Sequence, residues 1–515
     1  MYYFFPSWYS HDKKWAMRSK PWYEQRIQLE FDDTLSLLQL FQQSEEQVRL
    51  CLLNYQPHLR YFLNQHGLLN VQYQSVFDQL QGVGEVVSKV LSLADFEWSV
   101  QDEFFYSPFV VLIQRNHRLF ARVDFDQAGN ILWISYFDAD EIVKQLVVDD
   151  RGFISSIIYY EQGQPLYQEY LNLAGIWQLR EWYHPMDAHV EVNATTAFDF
   201  KHRRYDNMTA VVAEVVQVWK SSFQAADCVV IASDDWHNEL LLQDLRAKKV
   251  LSLFSQRPYQ LTDKLLNQLD NCELVVMDVQ QQAKVLQERL ANPAKVQLMT
   301  LFDTRLALGM SQRQSQMEIM VVMDELTLDQ LHDLIFSLLP LMLEDKRLEL
   351  VLVAYSQEAK LETLLQEIEP YLAELTKSEP SMMADALTMS QPKLQLRIRG
   401  YFIRREQELL QQLNRTRVVI DLASAPHTFT QMRAISAGVP QINVSASDYV
   451  QHLKNGYIAT DLSEVVVGVQ YFTQGLKHWN ESLIYSVQLI EKYATESILA
   501  QWKNRLVETN DGKKT

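Results

Sequence analysis

The chain lacks most of the local patterns that announce an enzyme. In 515 residues there is no GxxxxGK[ST] phosphate loop, no GxSxG nucleophile elbow and no Cys-x-x-Cys pair. Gly82-Val83-Gly84 lacks the third glycine of a dinucleotide loop and follows no clear strand. Cysteine is scarce: Cys51, Cys228 and Cys272 form an odd, scattered set in apolar runs, which suits buried thiols in a reducing cytosol better than a disulfide framework. Positive charge is also short. A formal net charge of −18 argues against sequence-independent binding to nucleic acid or anionic lipid, since both need dense positive surface. The most apolar helical run, 331–343, is too short and interrupted to cross a bilayer. The opening MYYFFPSWYSHDKKW has aromatic residues where a secretion signal has basic ones. The expectation is a cytoplasmic protein, with peripheral contact at the inner face of the membrane left open.

What is present is ample material for packed cores. Hydrophobic residues make up 47% of a chain too long for one core, which predicts two or three domains. An apolar strand at 2–5 and a βα pattern through residue 69 open an α/β domain. From 70 to 195 the period switches to short alternating runs separated by turns such as Gln127-Ala128-Gly129-Asn130 and Asp150-Arg151-Gly152, the pattern of a β-meander. Repeated βα units resume over 196–310 and imply a parallel sheet covered on both sides. The meander is then an insertion into the first α/β domain. SQRQSQ at 311–316 is the best linker, a second α/β block fills 311–475, and a long helix with a polar tail closes the chain over 476–515. A Met-rich stretch at 377–392 shows no strong pattern.

The stretch at 418–445, VVIDLASAPHTFTQMRAISAGVPQINVS, reads as strand, loop, helix, glycine stop and strand. Thr428 with Gln431 has capping-box spacing, Gly438 would end the helix, and Pro440 prevents its continuation. Such a helix N-terminus favours anions, nucleotide phosphates among them. Elsewhere the residues allow both structural and functional readings. His184, Asp187 and His189 could be metal ligands, but Pro185 breaks helical spacing and a turn is preferred. Asp32-Asp33 and Asp234-Asp235 read as helix starts. Arg203-Arg204, Arg404-Arg405 and the alternating Arg397 and Arg399 could meet phosphate or an acidic partner, with a solvated face preferred. No residue demands catalysis, and no metal or cofactor is assigned.

This layout resembles that of GT-B-type glycosyltransferases: α/β, two Rossmann-like domains, with a β-meander domain inserted in the first. The stretch at 418–445 is similar to the donor site of their retaining members, which places two glutamates eight positions apart before Gly-x-Pro. Counting back from Gly438-Val439-Pro440, those acids fall on Ala425 and Arg433. Arginine cannot accept a hydrogen bond from a ribose. Where the resemblance implies a Gly-Arg pair and lysine for the diphosphate, the chain has Met323-Asp324-Glu325, the wrong charge. Over the full length, YYFFPSWY with Trp15 and Trp22, FDDTLSLLQLF, LLNYQPHLRYF and Arg203-Arg204-Tyr205-Asp206-Asn207-Met208 resemble the first of the three accessory secretory proteins of the streptococcal and staphylococcal accessory Sec system. That resemblance implies a noncatalytic partner of accessory secretory proteins two and three. It also implies that the chain serves the accessory Sec ATPase in exporting serine-rich repeat glycoproteins. An intact fold beside lost donor chemistry adds the expectation that the cleft or its rim engages the glycosylated adhesin or its export partners. Trp8, Tyr9 and Trp15 are the aromatic candidates for its cleft, with Thr428 and Gly438 marking the former donor site. The rival is an active glycosyltransferase that holds a nucleotide sugar through atypical contacts.

Overall fold

The computed structural model describes the chain except residues 11–14, 17–20, 22–31, 127, 185–186, 256, 258, 299–307, 379–396, 404–405, 425, 493 and 512–515. It divides into two compact units, one holding most of residues 1–301 with the chain end from Trp502, the other holding the rest up to Gln501.

The first unit is organised by strands that are apolar on both faces. β1 (Tyr2–Phe5), β2 (Val48–Leu52) and β3 (Tyr73–Ser75) come before the insertion, and β14 (Cys228–Ala232), β15 (Lys248–Leu253), β16 (Leu274–Met277) and β17 (Val296–Leu298) after it. They pair in parallel in the order β17-β16-β15-β14-β1-β2-β3, with Tyr2 opposite Cys228 and Val48. CVVIA and LVVM are buried throughout, as expected of strands covered on both sides by helices. The covering helices start where polar side chains meet their free N–H groups. Asp32 accepts from Leu35 ahead of the helix Asp33–Gln43, and Asn207 accepts from Ala210 ahead of Met208–Ser222. The three thiols are buried and unbridged. From Trp502 the chain end packs on this unit, with the Trp502 ring 5.4 Å from Phe41 and Lys248 Nζ donating to the Leu506 carbonyl at 3.2 Å.

Between β3 and β14 lies a ten-stranded antiparallel sheet whose strands pair strictly in chain order, from β4 (Asp102–Tyr106) to β13 (Arg204–Tyr205). Its tight hairpins use residues in the left-handed region, Asn116 and His117 at one and Ala139 and Asp140 at another, which matches the right-handed twist of the strands they join. The inserted sheet begins later than residue 70. β3 and the helix Val76–Gln81 belong to the parallel sheet, because Tyr73 continues its register beside Leu50. Arg151 ties the two layers together, its guanidinium forking onto both Asp78, on that helix, and Asp149 of the inserted sheet at 2.7–2.9 Å.

The second unit repeats the parallel plan. β18 (Met317–Val322), β19 (Leu348–Ala354), β20 (Ile398–Phe402), β21 (Thr416–Asp421), β22 (Gln441–Asn443) and β23 (Gly456–Ile458) pair in the order β20-β19-β18-β21-β22-β23. The first half of the predicted linker at 311–316 falls in a 3-10 turn, Met310–Arg313. The predicted closing helix is two helices, Lys477–Lys492 and Thr495–Asp511. The Met-rich stretch lies outside the described residues from 379 onward.

The turn between the inserted strands Glu141–Asp149 and Phe153–Glu161 gives a direct test. Gly152 has φ +89°, and a Cβ there would overlap the Lys89 carbonyl oxygen. Gly152→Ala should therefore destabilise the first unit by about 2–4 kcal/mol, from left-handed strain plus steric overlap. Denaturant unfolding followed by intrinsic fluorescence checks this, and an unchanged midpoint would contradict it.

Candidate functional site

In each parallel sheet the chain reverses its direction of travel once, between β18 and β21 in the second unit and between β14 and β1 in the first. The crevice beyond the strand ends at such a reversal is where open α/β sheets bind ligands.

In the second unit, β21 ends on Asp421, which is 2% exposed. Its carboxylate accepts the backbone N–H of Ala423 at 3.2 Å and of His427 at 2.7 Å. The helix Thr428–Ala437 follows at once. The expected capping box does not form. His427 is the residue before the helix and gives no side-chain cap, Thr428 is already helical, and Gln431 is buried with its amide toward Asn443 at 3.4 Å. The helix begins one residue earlier than the spacing predicted, so Thr428 lies inside it, and the strand-end carboxylate answers the N–H of His427 just before it. That carboxylate stands in the loop leading into the helix, beside the N-terminus at which helices favour anions.

A compact polar cluster backs this arrangement. His427 Nδ1 lies 2.8 Å from Thr430 Oγ1, the His427 ring stacks on Tyr355 at 4.6 Å, and the Tyr355 hydroxyl shares a 2.5 Å hydrogen bond with Thr430. Beyond β18, Asp324 accepts the N–H groups of Tyr355 and Ser356 at 2.8 and 2.7 Å and the Ser356 hydroxyl at 2.7 Å. Glu325 is exposed. Lys360 Nζ donates to the carbonyls of Met323, Asp324 and Leu326. A cation is thus present, but it is spent on backbone oxygens, and burial lowers its pKa. Burial pushes the Asp421 carboxyl up to about 6, with the charges of Asp324 and Glu325 adding to the rise and its two N–H donors opposing it. Burial also pulls the His427 imidazole down. The crevice is acidic and largely satisfied from within.

Arg433 sits one turn along the helix, with its guanidinium 5.0 Å from the centroid of the Phe429 ring. Ala425 lies outside the described residues. Gly438 ends the helix at φ +69°, where a Cβ would overlap Leu483 Cδ1. The sequence reading missed Asp421, Tyr355 and Lys360. Asp421 carried a signal, a carboxylate closing an otherwise apolar strand, whereas Tyr355 and Lys360 reach the site only through the pairing of β18 with β19.

In the first unit, the aromatic candidates are structural. Trp8 is 7% exposed, donates Nε1–H to Asp32 at 2.9 Å and packs edge-on against Phe62. Trp15 is 5% exposed and donates to Thr209 at 2.8 Å. Tyr9 is pinned by a 2.6 Å hydrogen bond to His237 Nδ1 and meets Trp15 edge-on. Trp8 and Trp15 are thus core residues, whereas Tyr9 is half-buried at the edge of the core. Asp33 forms a bidentate pair with Arg257 at 2.6–2.7 Å. Among the described residues no group of three or more His, Cys, Asp or Glu could hold a metal ion. His189 Nδ1 contacts the Asp187 carbonyl at 2.7 Å, in keeping with a turn. Of the basic pairs, Arg204 bridges to Asp187, Arg203 donates to the Asn193 carbonyl, and Arg404-Arg405 lie outside the described residues. Arg397 is buried on the Met342 and Leu348 carbonyls, and Arg399 pairs with Glu318 and Glu349.

Comparison with known proteins follows from this geometry. Residues 1–509 match the family model of the accessory Sec system protein known as accessory secretory protein 1. A curated relative of the same description from Streptococcus gordonii is 36% identical, covering 100% of both chains. The crystal structure of accessory secretory protein 1,2 and 3 in Streptococcus pneumoniae contains a chain similar at TM-score 0.85 and 35% identity, covering 99% of this chain and 100% of that one. The pneumococcal O-GlcNAc transferase GtfA, in complex with UDP and GlcNAc, is similar in fold at TM-score 0.69 and 12% identity, covering 99% of this chain and 98% of that one. Two Rossmann-like units with an inserted antiparallel sheet are therefore a fold shared with GT-B glycosyltransferases. No helix among the described residues is long and apolar enough to cross a membrane.

The Asp421 carboxyl supplies a pH test. Its pKa is about 6 when folded against an ordinary 3.8, so its stabilising contribution is complete below about pH 3.8 and is lost as the pH rises through about 6. Asp421→Asn removes the charge and imposes a constant cost for one weakened N–H contact. Relative to wild type, the variant should gain up to about 3 kcal/mol between about pH 4 and about pH 7. Denaturant unfolding at both values reads the difference, and a pH-independent difference would refute the assignment.

Proposed function

The chain belongs to this accessory Sec system family, and from that premise we propose that it is a noncatalytic binding subunit of the export machinery. It assembles with accessory secretory proteins two and three and serves the accessory Sec ATPase. Its cargo is a serine-rich repeat glycoprotein whose glycosylated form it recognises. Assembly is supported by the similar chain from Streptococcus pneumoniae, whose structure is one of accessory secretory proteins 1, 2 and 3 together.

The observation that carries the noncatalytic reading is the Asp421 carboxylate on the N–H groups at the entry to Thr428–Ala437. A diphosphate arriving there would meet a buried carboxyl, with Asp324 and Glu325 nearby and Lys360 turned onto carbonyls. Like charges in a poorly solvated crevice repel strongly. Arg433 lies against Phe429 where the enzyme pattern has a ribose-binding acid.

Two measurements test this function. Co-expression with accessory secretory proteins two and three should give one co-eluting complex on size exclusion, and separate elution of this chain would count against the assembly. Calorimetry with UDP-sugars should give no saturable heat, and the double variant Ala425→Glu with Arg433→Glu should show no sugar transfer. Saturable binding with turnover by the wild-type chain would overturn the noncatalytic reading.

A further inference from the structure

The sheet reversal in the first unit, between β1 and β14, is built differently. Ser7 follows β1 and donates its hydroxyl to Asp234 Oδ2 at 2.5 Å, across the reversal. The loop after β14 is locked. Asp234 N–H donates to Asn238 Oδ1 at 3.0 Å, Asn238 Nδ2 to Ser233 Oγ at 3.0 Å, and Trp236 N–H to Asp234 Oδ1 at 2.9 Å. Next to it, buried His237 is held between the Ala232 carbonyl at 2.7 Å and the Tyr9 hydroxyl at 2.6 Å. This rigid loop presents Trp236, at 39% the one exposed tryptophan among the described residues. Its ring rests edge-on against buried Trp15 at 6.5 Å. Asp235 beside it is exposed.

An indole held at the ligand-binding edge of a parallel sheet, beside carboxylates and a hydroxyl, has the chemistry that receives a sugar ring. The apolar C–H face of a pyranose lies on the aromatic face, and its hydroxyls donate to carboxylates. Ser7 commits its proton to Asp234, which leaves its oxygen as an acceptor. Charge narrows the ligand further. Among the described residues, Asp32, Asp33 and Asp234 surround the guanidinium of Arg257, already paired bidentately with Asp33, and Asp235 adds another negative charge. This local balance disfavours phosphorylated and carboxylated sugars.

We propose that Trp236, with Ser7, Asp234 and Asp235, forms a subsite for an uncharged hexose or N-acetylhexosamine unit of a glycan. The proposal rests on the glycoprotein-recognition reading above and assigns it to these residues. The aromatic platform the sequence suggested is thus moved from buried Trp8 and Trp15 and half-buried Tyr9 to the exposed ring beside them.

The test uses the full chain, titrated with methyl N-acetylglucosaminide and methyl glucoside by ligand-observed NMR and calorimetry. The wild type should bind at least one of them saturably. Trp236→Ala should weaken binding by about tenfold or more, Trp236→Phe should retain part of it, and both variants should keep the wild-type unfolding midpoint. Equal binding by wild type and Trp236→Ala would overturn the subsite while leaving glycan recognition in place elsewhere on the chain. Absence of binding to any uncharged glycoside would overturn both. Tighter binding of N-acetylneuraminate or glucosamine 6-phosphate would overturn the charge selection.

Discussion

Strands buried on both faces impose the constraint on which both units depend. Segments such as CVVIA, LELVLVA and TRVVID have no solvent-facing side, so they are stable only when flanked by strands and covered by helices. Parallel pairing follows, each crossover returns the chain to the same end, and the loops that leave the strands collect along one edge of each sheet. Polar side chains gather at that edge because the interior cannot hold them unpaired. The place where the strand order reverses is therefore fixed by backbone pairing before any chemistry is considered.

The two units use that edge in opposite ways. In the second, the chain's own groups answer one another: Asp421 takes the N–H groups before the helix, Asp324 takes those of Tyr355 and Ser356, and Lys360 takes three carbonyls. A crevice with its donors and acceptors paired internally has little to offer a nucleotide. In the first, the hydrogen bonds of Ser7, Asp234 and Asn238 stiffen the loop while the Trp236 ring stays at the surface. The proposed loss of chemistry at one edge and the proposed binding surface at the other would together describe a transferase fold put to recognition.

Much of the fold was legible in the residues. The switch from a period of two to βα alternation signals the return from the inserted sheet, although its last strand, Arg204–Tyr205, lies beyond the expected boundary at 196, and VVID, GVP and QIN mark the strand, stop and strand around the second-unit crevice. The earlier boundary was less legible, because Tyr73–Ser75 has the same local character whether it joins a parallel or an antiparallel sheet. The capping box at Thr428 failed for a related reason: spacing identifies a residue able to cap, but not the residue at which the helix begins, here Thr428 itself.

By itself, the sequence determined the class of the protein. Its apolar runs and turn residues set two α/β blocks around a β-meander, and its resemblance to retaining transferases puts Arg433 where their pattern has an acid. Only the tertiary structure decided which aromatic residues are buried and which carboxylates are occupied. Trp8 and Trp236 are both tryptophans beside a strand end, yet one donates to Asp32 inside the core and the other stands 39% exposed. Burial and pairing depend on what packs against a side chain from far along the chain, and local spacing does not encode that.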